Sequence, residues 1–167
     1  MQLRRPELSD KEAVIEMMKE FEASQSAHDG GFWSVDNFDY EKWLEDNRLS
    51  EMGINIPDTF VPAVQFVSFS DDGRALGFLH LRLRLNDNLL KQGGHIGYSV
   101  RPSERRKGYA KEQLRLGLLE AKKKNIKKAL VTCHDDNPGS RKVILANGGV
   151  LEDVQDSVER YWISLEN

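Results

Sequence analysis

The chain has 167 residues, a net charge of −3 and 31% charged residues. That length suits one domain burying roughly 70% of its unfolded surface, the mild negative balance gives no support to non-specific nucleic-acid binding, and the lone Cys133 excludes an internal disulfide framework. No apolar stretch approaches membrane-spanning length and Met1–Arg5 runs into polar sequence rather than a signal peptide, so the expectation is a cytoplasmic protein. A short strand is expected over residues 2–5. Ser9-Asp10-Lys11-Glu12 reads as a capping box, followed by Val14, Met17, Met18 and Phe21 at helical spacing. Ala23 to Gly31 is small and polar and predicts a loop, whereas Tyr40, Trp43 and Leu44 repeat at three and four and predict a second helix from about Asp39 to Leu49. After a link over residues 50–59, Val61–Ser70 and Arg74–Leu85 read as strands joined by the turn Asp71-Asp72-Gly73. In the second of these, Leu79, Leu81, Leu83 and Leu85 alternate with His80, Arg82 and Arg84, which predicts one buried and one wet face.

A further strand from Gly94 to Arg101 stops at Pro102, and a helix runs from Gly108 to Lys124 with Ala110, Leu114, Gly117, Leu118 and Ala121 on one stripe. The basic run Lys122-Lys123-Lys124 with Lys127 and Lys128 falls at the end of that helix, where cations offset the dipole, and no aromatic residues interleave it as a nucleic-acid patch would require. Ala129–His134 reads as a strand. Asn137 caps a last helix with Pro138 at its first position, Asn147-Gly148-Gly149 ends it, and Val150–Val154 and Val158–Ser164 close the chain as strands. No repeat or composition break divides residues 1–167, which predicts a single domain.

Arg105-Arg106-Lys107-Gly108-Tyr109-Ala110 gathers cations and free amides where a helix begins. The unpaired N–H groups of a first turn and the positive dipole end attract anions, and glycine lets a phosphate approach closely. Neither the nucleotide P-loop nor the three-glycine dinucleotide fingerprint is present. The segment resembles the acetyl-coenzyme A loop of the GCN5-related N-acetyltransferase (GNAT) superfamily: Gln or Arg, two free positions, Gly, one free position, then Gly or Ala, here Arg105, Gly108 and Ala110. The order of elements around it, down to Asn137-Pro138-Gly139-Ser140, extends the resemblance over about residues 74–164.

The resemblance implies an α/β fold with a mixed central sheet, helices on both faces, and splayed parallel central strands at Gly94–Arg101 and Ala129–His134. It implies acetyl-CoA as cosubstrate, held by Ser99, Val100 and Arg101 along the pantetheine arm, by Arg105 and the amides of Arg106, Lys107, Gly108, Tyr109 and Ala110 at the pyrophosphate, and by Asn137 and Ser140 nearby. No metal is implied. The Val100 amide is the expected oxyanion donor. His95, at a position where many relatives carry glutamate, is the first candidate for accepting the amine proton and His134, at the end of the next strand, the second, each set against an ordinary role as a polar strand residue. The family's acid, a tyrosine four residues beyond Ser140, is here Ile144, which leaves that role vacant; Tyr98, Tyr109 and Tyr161 are the tyrosines that could fill it, with Tyr98 put forward. The expected activity is an N-acetyltransferase acting on a primary amine of a small molecule or peptide by direct attack. The alternatives are a non-catalytic acetyl-CoA-binding sensor or partner module and, third, a basic-loop nucleic-acid binder. Partner expectations are the amine substrate, no nucleic acid and no membrane, and they leave room for a homodimer.

Overall fold

The structure, a computed structural model, describes residues 1–166. Strands β1 (Gln2–Arg4), β2 (Ala63–Phe69), β3 (Ala75–Arg82) and β4 (Ile96–Val100) form one antiparallel sheet in that order, and β5 (Lys128–His134), β6 (Val150–Gln155) and β7 (Val158–Ser164) form a second, ordered β5-β7-β6. The helices are α1 (Lys11–Ala23), α2 (Tyr40–Glu51), α3 (Asp87–Lys91), α4 (Tyr109–Lys123) and α5 (Pro138–Ala146). Neighbouring residues of β2 face opposite ways and so serve two cores. Val67 and Phe69 meet Val14, Met17, Phe21, Tyr40 and Trp43 of α1 and α2, while Val64 and Phe66 meet Leu114, Leu118 and Ala121 of α4 and Ile144 of α5. Helices therefore cover both faces, as the sequence predicts.

Four local expectations change. The capping box begins two residues earlier, where the Glu7 amide donates to the Asp10 carboxylate at 2.8 Å, ahead of a single 3-10 turn (Leu8–Asp10). The strand expected to reach Leu85 ends at Arg82, and Asn86, whose side chain accepts from the Leu89 amide, starts the short α3. The face of β3 carrying His80 and Arg82 is not wet: α1, α2 and the loop around residues 27–33 lie over it, and both side chains are half-buried. Finally, the expected mixed sheet is split into two antiparallel ones, with no ladder pair between β4 and β5 among the described residues. The two sheets meet where the His95 amide donates to Leu130 O (2.8 Å) and the Leu130 amide donates to His95 Nδ1 (2.9 Å). The imidazole replaces a strand carbonyl at that seam.

Buried Gln113 of α4 fixes the helix to β3 and β4. Its amide donates to Phe78 O (2.8 Å) and Ser99 O (3.2 Å), and its carbonyl accepts from Ser68 Oγ. The start of α4 is thereby held at a fixed distance from the end of β4.

Candidate active site

The edge that β4 turns towards the seam follows from its register. Arg82 N donates to His95 O (2.7 Å) and Arg101 N donates to Leu76 O (2.8 Å), at the two ends of the pairing with β3. Because antiparallel pairs alternate, the peptide groups of residues 97 and 99 also face β3, and those of Ile96, Tyr98 and Val100 face the seam. Val100 thus keeps the orientation expected of it, and Tyr98 shares it. Ser99 and Arg101 do not: their backbone groups belong to the β3 ladder, and Ser99 Oγ donates to Asp29 O at 2.7 Å.

Arg101 is a second correction, because its side chain is fully buried, paired with Glu16 (2.6 Å) and Glu20 (2.9 Å), and donates to Ala75 O at 2.9 Å. It anchors α1 to the sheet and cannot reach a ligand. Burial works against the charge of Glu20, but hydrogen bonds from Arg101 and Ser103 outweigh it and hold the carboxyl down at about 2. Glu20→Ala removes one of two counter-charges of a buried cation, so a loss on the order of 2 kcal/mol in urea unfolding is expected; a change within error would mean that Glu16 alone compensates Arg101.

After a 3-10 turn at Pro102–Glu104, the chain enters the loop with Arg106 and Gly108 both in the left-handed region, φ 63° and 82°. Gly108 is the N-cap of α4, and the first helical bond runs from Glu112 N to Gly108 O (3.3 Å). The amides of Tyr109, Ala110 and Lys111 precede any helical partner and point out of the helix start. A Cβ built on Gly108 meets no atom within 4 Å, so the space above the turn is open. The cations divide their work differently from the expectation. Arg105 donates to Val100 O (2.9 Å) and Ser26 Oγ (2.7 Å), tying the loop to β4, and Lys107 pairs with Glu104 (2.9 Å). Among the described residues, the Arg106 side chain makes no such bond.

A cleft of about 600 Å³ opens beside the seam, walled by Gly97 and Tyr98 of β4, His134 at the end of β5, Asn137 and Ser140 at α5, and the 27–32 loop. Tyr98 Oη and Ser140 Oγ lie 2.9 Å apart and bridge β4 to α5. Burial pushes the Tyr98 phenol up to about 12, so it stays protonated at neutral pH. Asn137 Oδ1 accepts from Ser140 N (3.1 Å), which is its capping bond. His134 is exposed at the cleft, with Nε2 3.4 Å from Gln92 Nε2.

His95 departs most from expectation. It is buried, and because its Nδ1 accepts from Leu130, the neutral ring carries its proton on Nε2 and has no lone pair left for an amine. Burial, reinforced by the charge of Arg82, lowers its pKa to about 4. Cys133 also lines the cleft, but burial and the neighbouring Glu159 push its thiol up to about 11, which makes it a poor nucleophile. The sequence reading missed Arg82, which reaches the cleft from β3, and the segment Asp29-Gly30-Gly31, whose Gly30 packs so tightly on β4 that a Cβ would stand 2.3 Å from Gly97 O. The glycine pair was the available signal for that close approach.

The family model described as the acetyltransferase (GNAT) domain matches residues 1–150. The chain belongs to the GNAT acetyltransferases. The match reaches the N-terminal helices, beyond the span that the loop motif and its flanking elements carry. GNAT acetyltransferases use acetyl-CoA, and the open turn at Gly108 and the seam-facing amides fit that cosubstrate. No curated protein matches the chain in sequence. Similar solved structures include an acetyltransferase of Salmonella typhimurium that modifies the N-terminal serine of ribosomal protein L7/L12 (TM-score 0.68, 18% identity, covering 98% of this chain and 94% of that one). A chimera of the Vibrio cholerae spermidine N-acetyltransferase SpeG and hSSAT matches at TM-score 0.64 and 17% identity, covering 98% and 96%. YncA, a putative acetyltransferase of Salmonella typhimurium solved with its cofactor acetyl-CoA, matches at 0.63 and 15%, covering 99% and 94%. At these identities the likeness is one of fold, and it bears out the α/β class with helices on both faces. No helix is long and apolar enough to cross a membrane.

Proposed function

We propose that the protein is an N-acetyltransferase that passes an acetyl group from acetyl-CoA to a primary amine of a small molecule or peptide by direct attack. The observation that carries this reading is the continuous path from the seam-facing amides of Tyr98 and Val100 to the open first turn at Gly108. Acetyl-CoA supplies the acetyl group as a thioester. The first turn of α4, with Arg106 beside it, holds phosphate charge; the β4 edge holds the amide-bearing arm and offers an N–H to the charge that develops on the carbonyl oxygen. The seam-facing amides of Val100 and Tyr98 support that donation, and Tyr98 is the one that lines the cleft.

An alkyl amine with a pKa of ~10.4 must lose a proton before it attacks. With the His95 lone pair engaged, His134 or a chain of waters through the cleft takes that proton. The leaving thiolate, of pKa ~8.5, needs little help, and the protonated Tyr98 hydroxyl, which lines the cleft, is its donor. Ile144 is fully buried in the core and contributes nothing. A spectrophotometric assay of free-thiol release against polyamines, amino acids, aminoglycosides and peptides tests the reading, with turnover of at least one amine class expected.

The engaged His95 and the apolar Ile144 favour a second reading, a non-catalytic acetyl-CoA-binding module. Binding without turnover of any amine would select it. For either reading, micromolar RNA is expected to leave acetyl-CoA affinity unchanged, since Arg101, Arg105 and Lys107 are all engaged within the protein. Displacement by RNA that salt reverses would instead mark the loop as a nucleic-acid surface.

A further inference from the structure

Arginines inside this protein come with carboxylates. The two buried ones each have two: Arg101 pairs with Glu16 and Glu20, and Arg160 with Glu152 and Asp153. Arg82 breaks the pattern. It is half-buried in the cleft wall, donates through Nη1 to Gly93 O (3.0 Å) and Gly94 O (3.5 Å), and forms no ion pair among the described residues. Burial lowers its pKa, and Asp29, which also lines the cleft, is near enough to oppose that shift through its charge without forming an ion pair with it. Taking a cation out of water is costly unless an anion meets it. The two carbonyls also fix the plane of the guanidinium, and its other N–H groups have no protein partner among the described residues. The absence of a side chain at Gly97 lets the guanidinium lie this close to β4: a Cβ there would stand 3.1 Å from Nη2 and 3.3 Å from Nη1.

We propose that Arg82 receives the carboxylate of the acceptor, and that the acceptor is a free α-amino acid. This rests on the N-acetyltransferase reading and narrows its substrate class. A planar, pre-oriented fork suits the two oxygens of a carboxylate. Gly97 precedes Tyr98, whose amide faces the seam, so a carboxylate on Arg82 sets an α-amine one carbon away beside the reacting end of the cleft. Asp29, also in the cleft wall, attracts the same molecule's ammonium before its proton is lost. A polyamine has no group for Arg82 and brings a second cation towards it.

The test compares the common L-amino acids with their primary amides, and with spermidine, on the wild-type protein and on Arg82→Gln. Thiol release gives kcat/KM, and calorimetric titration into CoA-saturated protein gives affinity without turnover. The expected result is a preference for acid over amide of about tenfold or more in the wild type, lost in Arg82→Gln, because a site built to pair a charged group rejects the analogue lacking it. Acetyl-CoA affinity should be the same in both proteins. Equal use of acid and amide by the wild type, a preference for spermidine, or no acid-specific binding in the titration overturns the proposal without need of a variant. Failure of acetyl-CoA itself to bind is a different result, and it removes the acetyltransferase reading on which the proposal rests.

Discussion

Gly108→Asp is expected to abolish measurable acetyl-CoA binding in a protein that remains folded. Three terms decide the stability side. The left-handed φ of 82° costs a non-glycine residue roughly 1 kcal/mol, the added Cβ meets nothing within 4 Å, and an aspartate at an N-cap offsets the strain by accepting from the first-turn amides. The net change is small. On the binding side, the same carboxylate takes the amides that a pyrophosphate would use and repels it. At 4 Å a pair of unit charges near a protein surface interacts by about 4 kcal/mol, so one such contact already costs on the order of 1,000-fold in affinity. Gly108→Ala separates the terms, since it carries the backbone strain without the charge and is expected to lose much less. Circular dichroism reports the fold and calorimetry the affinity. A folded Gly108→Asp protein that binds as the wild type does would take the loop out of the site.

What was legible in the sequence and what was not divides along one physical line. The start of α4 was legible because everything that defines it is local: a proline stop, a glycine at the cap, and a stripe of Leu114, Gly117, Leu118 and Ala121 whose period needs no partner. The orientation of the β4 edge was not. Whether Val100 or Ser99 turns its amide to the seam depends on the phase of pairing with β3, a single-residue matter that the two strands settle together. Arg101 beside a basic loop reads as a ligand cation, and only the return of α1 some 80 positions away turns it into a buried anchor for that helix. Arg82 was missed for the converse reason. An arginine alternating with leucines reads as solvent-facing, and the reading fails because the 27–33 loop lies across that side of β3. In each case the residue type was visible and its partner was not.

His95→Ala is expected to cost stability and to leave the pH dependence of turnover in place, the reverse of what a general base would show. Removing the accepting Nδ1 leaves the Leu130 amide without an acceptor in the buried seam and opens a void, together about 2–4 kcal/mol. The sign with pH follows from the shift. His95 titrates at about 4 in the folded protein, and in the unfolded chain at ~6.5, so between those values the unfolded state holds a proton that the folded state does not. Wild-type stability therefore rises with pH across that window and falls as pH drops from 6.5 towards 4, by on the order of 2 kcal/mol from this residue. His80, lowered to about 3 by burial and then by Arg82, contributes with the same sign and persists in the variant. Urea midpoints at pH 7 and pH 4.5 should thus differ more in the wild type than in His95→Ala. If His95→Ala is instead as stable as the wild type and loses the rising limb of turnover with pH, the ring must leave Leu130 during the reaction and act as the base. If the limb survives in His95→Ala and vanishes in His134→Ala, the proton goes to the exposed histidine at the mouth of the cleft, where the end of β5 meets the start of α5.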